Sequence, residues 1–160
     1  MKKVKLKTLM IAASLCSSFA FTAPSYAVEI ISAENPQAIL NIAKGFGSAK
    51  LKKDSTGDPL IVGRIEGTKY TISFYGCSNG KNCKDILFNA AWEGKKISLE
   101  KINKWNRDKR FGKAYIDKDN TINLEMAVNL RYGVTEENLE DTFEWWKHIM
   151  KEFEREVLEK

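Results

Sequence analysis

Residues 60–92 read LIVGRIEGTKYTISFYGCSNGKNCKDILFNAAW, and this stretch decides the fold. Within it, Lys69–Cys77 alternates: Tyr70, Ile72 and Phe74 fall on one side, Thr71, Ser73 and Tyr75 on the other. That period of two is the mark of a strand with one buried face. Lys84–Trp92 alternates as well, with Ile86, Phe88, Ala90 and Trp92 on one side. Placing Cys77 opposite Cys83 pairs Phe74 with Ile86, Ile72 with Phe88 and Tyr70 with Ala90. All these side chains then share one face, so a disulfide and the apolar pattern select the same register independently. The bridge falls on the side of Ser73, Tyr75 and Asp85 and need not be deeply buried. Upstream, Leu60–Ile65 reads as a further strand. Gly67-Thr68 is expected as a two-residue hairpin turn with glycine first, opposing Ile65 to Tyr70 and Ile61 to Phe74.

Working outward, Ala49–Lys53 is short, charged and suited to a sheet edge, and the cluster Ser55–Pro59 is a turn. Before it, Asn35-Pro36 starts a helix: a capping side chain, then proline at the first helical position. Ile39, Leu40, Ile42 and Ala43 give that helix an apolar side, and Gly45 and Gly47 end it. After Trp92, Ser98 caps a second helix. Ile97 and Ile102 stand at the spacing of a hydrophobic staple, Leu99, Ile102 and Trp105 form a stripe, and the helix fades near Asp108.

Phe111–Asp117 and Thr121–Leu130 form another hairpin, with Ile122, Leu124, Met126, Val128 and Leu130 inward and Asn123, Glu125 and Asn129 outward. A three-residue connection, 118–120, pairs Ile116 with Ile122 and Ala114 with Leu124, and Asn120 takes the left-handed conformation such a turn needs. Thr135 caps a last helix of about 25 residues. Leu139, Phe143, Trp146, Ile149, Met150, Phe153 and Val157 recur along its side at helical spacing. The order α-ββββ-α-ββ-α predicts an α+β fold, an antiparallel meander sheet with helices on one face.

The first 27 residues read as an address. Lys2, Lys3, Lys5 and Lys7 precede the apolar run Leu9–Phe21, and Ser25-Tyr26-Ala27 puts small residues at −3 and −1 of a cleavage site, the pattern of a secretory signal peptide. The apolar run is shorter than the ~20 residues of a membrane span. The expectation is signal 1–27, a mature chain beginning at Val28, and a single domain over 28–160, periplasmic or secreted and soluble. Of the 26 basic residues, four leave with the signal, so 22 face 21 acids, a net charge of +1. Bulk charge therefore argues against a nucleic-acid-binding domain. Cys16 leaves too, and Cys77 and Cys83 remain as a pair suited to an oxidising compartment.

No catalytic set emerges. His148, the one histidine, projects from the last helix among Glu144, Glu152 and Arg155, away from the apolar side. Two thiolates without further ligands make no metal site. Asp117–Thr121 suggests a calcium loop, but counted from Asp117, Ile122 stands at the glycine place and Val128 at the glutamate place. No cofactor or metal is expected. The densest basic run, Lys101 to Lys113, holds Arg107, Lys109, Arg110 and Lys113 beside Trp105 and Phe111. These four cations are the candidate partner-binding residues, the alternative being a solvated helix side. Trp145 borders the apolar stripe and reads as core edge, with a contact to a second copy of the chain as the other reading.

The segments Tyr70–Cys77, Cys83, Ile86–Trp92, Trp105–Arg107, Arg110–Tyr115 with Asp117, Leu124–Met126 and Val128–Leu130 resemble the exported members of the YbjN family. The resemblance covers roughly residues 35–153. It implies a fold similar to type III secretion chaperones and a role among proposed sensory-transduction regulators, and it brings no catalytic residues. The reading that follows is a non-enzymatic exported module that binds another polypeptide, chaperone-like or regulatory. Alternatives are a secreted inhibitor of a cell-wall enzyme acting through the 78–82 tip, although Lys81 stands there, and a hydrolase using Glu125 with Asp117.

Overall fold

Strand pairing around Cys77 and Cys83 organises the molecule. The structure, a computed structural model, describes residues 29–159, so the expected signal segment lies outside the described residues. In chain order the elements are β1 (Ile30–Ile31), α1 (Pro36–Gly45), β2 (Ser48–Lys53), β3 (Pro59–Ile65), β4 (Thr68–Tyr75), β5 (Asp85–Trp92), α2 (Leu99–Asp108), β6 (Lys113–Ile116), β7 (Ile122–Asn129), β8 (Val134–Thr135) and α3 (Glu136–Glu156). Six strands make one antiparallel sheet in the order β2-β3-β4-β5-β7-β6. The fold is α+β, as the pattern predicts. The two-residue strands β1 and β8 pair only with each other and are too short to leave a periodicity.

The pairing of β4 with β5 matches Phe74 to Ile86 and Ile72 to Phe88, the register that the cysteines select. Cys77 and Cys83 are bonded, with 3.9 Å between their Cα atoms. Cys83 is nonetheless buried and belongs to the core, while Cys77 packs partly against it. Replacing Cys77 with serine is expected to lower stability by about 2 kcal/mol, the chain entropy of so small a loop. Urea unfolding checks the value. Thiol labelling of the unreduced, denatured chain checks the bridge: two reactive thiols from Cys77 and Cys83 would contradict it.

The β3–β4 hairpin departs from expectation by one step. Ile65 faces Thr68, Gly63 faces Tyr70 and Ile61 faces Ile72. The turn is Glu66-Gly67, with φ of 47° and 90°, so both central residues are left-handed, as a type I′ turn requires. The register slides by two residues. A slide of two preserves the face of every side chain, and Ile61, Ile65, Tyr70, Ile72 and Phe74 are all buried.

The β6–β7 hairpin keeps its expected pairs, Ile116 with Ile122 and Ala114 with Leu124. Asn120 has φ 60°, and Asp117 Oδ1 accepts from the amides of Asp119 and Thr121, both at 2.9 Å. The hairpin enters the sheet reversed, with β7 beside β5 and β6 outside. Strand β7 carries the longer apolar alternation, so the interior place buries more of it. Asn123, expected outward, is buried on the face opposite the helices, where it bonds to Asn89 Nδ2 through its Oδ1 at 3.2 Å and donates to Thr121 O at 3.2 Å.

The helices start where their caps predict. Asn35 Oδ1 accepts from the amide of Ala38, Ser98 Oγ from Lys101 and Thr135 Oγ1 from Asn138. Helix α3 has 21 residues, and Leu139, Phe143, Trp146, Ile149, Met150 and Phe153 are its buried side. It crosses the sheet over β5: Phe143 and Trp146 pack on Phe88, and Phe153 packs on Trp92 and Trp105. Thr68 and Trp92 both donate to Glu154 Oε1, at 3.0 and 3.1 Å, tying the far end of α3 to the sheet. Leu99 departs from the expected stripe of α2 and is exposed. It sits in the first turn, before the helix reaches the core.

Candidate functional site

The basic run is held in place by Trp105 and Asn106. Trp105 is buried, its ring edge-on to Phe153, and its Nε1 donates to Gly112 O at 2.9 Å. Asn106 donates to Ala114 O and accepts from Ala114 N, both at 2.8 Å. One amide thus satisfies both outer backbone groups of Ala114 as a neighbouring strand would. These bonds fix the direction of each cation between them.

Lys109 turns inward to α3. Its ammonium lies 3.2 Å from Glu152 and 3.0 Å from Glu156 and 5.2 Å from the centre of the Trp105 ring. The hydrogen bond to Glu156 holds the ammonium above its ordinary pKa and the Glu156 carboxyl below its own. Lys113 lies 3.0 Å from Glu125 and over the Tyr115 ring. Lys104 pairs with Asp108, and Lys101 with Glu159 at 2.5 Å. Of the four candidate cations, Lys109 and Lys113 are therefore engaged within the molecule. Arg107 is exposed and reaches Asp108 at 3.4 Å. Arg110 is exposed and stacks its guanidinium 4.9 Å from the Phe111 ring centre.

Beside these arginines two aromatic residues meet, a pairing the sequence reading did not make. Phe111 and Trp145 pack on each other at 5.0 Å between ring centres, yet remain 39% and 40% exposed. His148 lies edge-on to Trp145 at 6.1 Å, with its Nε2 3.5 Å from Glu152. A hollow of about 320 Å³ is lined by Asp141, Glu144, Trp145 and His148. Trp145 thus stands at the edge of the buried side with part of its ring open to solvent. The available signal was the pair Trp145-Trp146: neighbours on a helix point about 100° apart, so both cannot occupy the centre of one buried stripe. Trp146 takes it.

The other candidates have structural partners. Glu125 accepts from the Tyr115 hydroxyl at 2.7 Å, a bond that pushes the phenol up to about 12. Asp117 caps its own hairpin turn. Each carboxylate proposed for hydrolysis is therefore already bonded. At the 78–82 tip, Ser78 and Lys81 close a tight turn through their backbones, and Lys81 is exposed. Among the described residues no cluster of three or more His, Cys, Asp or Glu is placed to hold a metal, and no helix is long and apolar enough to cross a membrane.

Comparison with known proteins adds one finding. Neither the curated proteins nor the solved structures give a match. The family model for YbjN, described as "Putative bacterial sensory transduction regulator", matches residues 35–159. That span runs from the cap of α1 past the end of α3 and takes in the six-stranded sheet, the bridge and the aromatic surface: the chain belongs to the YbjN family.

Proposed function

We propose that this chain is a non-enzymatic, exported module that binds another polypeptide, and that Arg107, Arg110, Phe111 and Trp145 form its contact surface. The observation that carries the reading is the half-exposed Phe111–Trp145 pair beside Arg110, which makes no ion pair among the described residues. Aromatic and arginine side chains are enriched among the residues that dominate binding energy at protein interfaces; the rings bury large areas, and the guanidinium adds directed hydrogen bonds. A regulator needs such a surface and needs no nucleophile. Export rests on the sequence pattern of residues 1–27, and N-terminal sequencing of exported material should begin at Val28.

The test is crosslinking in living cells. Changing Arg107 and Arg110 together to glutamate should leave thermal melting within about 0.5 kcal/mol of wild type, since both are exposed surface positions. The same change should abolish the crosslinked adduct, and Trp145→Ala should weaken it by the ~2 kcal/mol of an interface anchor, roughly thirtyfold. Raising salt should weaken wild-type binding, because exposed charges are screened beyond about 10 Å at 0.1 M. An adduct formed at the wild-type level by both variants would overturn this surface as the site.

A further inference from the structure

The two edges of the sheet are treated differently. At the β6 edge, Asn106 pairs with both outer backbone groups of Ala114. The β2 edge is bare: among the described residues no strand or side chain pairs with its outer backbone, and its residues are exposed except half-buried Ala49. An unpaired six-residue edge is a template for another strand.

The side chains of β2 and of the hollow beside it carry charge of one sign. Lys50 and Lys52 lie opposite Val62 and Leu60 on the helix-free face, and Arg64 faces Lys69 there. Lys44 at the end of α1, Ser48, Lys50, Val62, Arg64 and Lys69 line a hollow of about 600 Å³. None of Lys44, Lys50, Lys52, Lys53 or Lys69 makes an ion pair among the described residues, in contrast to the cations of α2 and α3. Glu66 pairs with Lys151, and Asp54, which follows β2, accepts from the amides of Thr56 and Asp58 within its own turn. On the other face of β2, Leu51 is half exposed next to Ile61.

We infer that β2 takes up an extended acidic segment of a partner polypeptide as a seventh strand. Strand addition gives affinity through main-chain hydrogen bonds and specificity through alternate side chains. Here the alternation is explicit: acids toward Lys50 and Lys52, an apolar residue toward Leu51. Edge lysines ordinarily repel strands, and they do repel a second copy, since antiparallel pairing of two β2 strands sets lysine against lysine. An acidic strand reverses that sign. The surface is separate from Phe111 and Trp145, so the inference stands or falls apart from the contact surface proposed above.

The probe is a fluorescent seven-residue peptide alternating glutamate and valine. Wild-type protein should bind it with an affinity that falls as salt rises, and amide exchange of residues 48–53 should slow on binding. The exposed, unpartnered pair change K50E with K52E should keep the wild-type melting temperature and lose at least tenfold in affinity. A peptide of the same sequence N-methylated at alternate amides keeps its charge but cannot complete a ladder, and it should not bind. Equal binding of that peptide, or of random-coil polyglutamate without slowed exchange at 48–53, would reduce the surface to nonspecific polyanion attraction and overturn the inference. So would no binding to the wild type, or β2 amides already protected in a dimer seen by sedimentation.

Discussion

Replacing Trp146 with alanine is expected to lower the free energy of unfolding by about 4 kcal/mol, within the range for a large aromatic removed from a core. The ring is fully buried and packs on Phe88, 5.5 Å between centres, at the crossing of α3 and β5. Alanine there leaves a void that helix and sheet cannot both close, because Phe143 and Phe153 hold α3 at Phe88, Trp92 and Trp105. Trp146→Phe should lose much less, about 1 kcal/mol. It retains a ring on Phe88 and removes an indole N–H that has no hydrogen-bond partner among the described residues, which is itself unfavourable when buried. Urea unfolding at unchanged m is the measurement. A loss below about 1 kcal/mol for Trp146→Ala would show that α3 does not seat there.

Most of the fold was legible because its signals are local. The caps Asn35, Ser98 and Thr135 and the alternation of β4, β5 and β7 are read within a few residues, and the cysteine pair fixes one register outright. The β3–β4 register escaped because the turn rests on the left-handed backbone of Glu66, and glutamate carries no turn signature. The order of β6 and β7 escaped because it depends on which strand gains more from burial, a property of the whole sheet. The candidate site was legible in part. Its cations cluster within seven residues, 107–113, and are visible, but which of them remain free is decided by partners far along the chain. Lys109 is held by Glu152 and Glu156, 43 and 47 residues away, and Phe111 meets Trp145 from another element. Sequence neighbours reveal a charge run; only the folded chain subtracts its internal pairs.

Replacing Gly63 with valine is expected to lower stability by about 3 kcal/mol, the upper end for forcing volume into a packed core. In β3, Gly63 stands directly opposite Tyr70. A Cβ built on it would lie 2.7 Å from Cε1 and Cζ of that ring and 2.8 Å from its hydroxyl oxygen. The ring lies over the glycine, an arrangement in which an aromatic side chain covers what the missing side chain leaves open. Tyr70 is buried and its hydroxyl has no partner among the described residues, so burial pushes the phenol up to about 12. Tyr70→Leu alone should cost about 2 kcal/mol, the lost packing being partly offset by removal of that unpaired hydroxyl. The two changes together should cost at least about 1 kcal/mol less than their sum, because leucine ends short of the ring atoms that valine would strike. A double-mutant cycle by urea unfolding measures this coupling directly. Strict additivity would mean that the ring does not cover Gly63, and the register expected from a Gly67-Thr68 turn, with Tyr70 opposite Ile65, would then regain its claim.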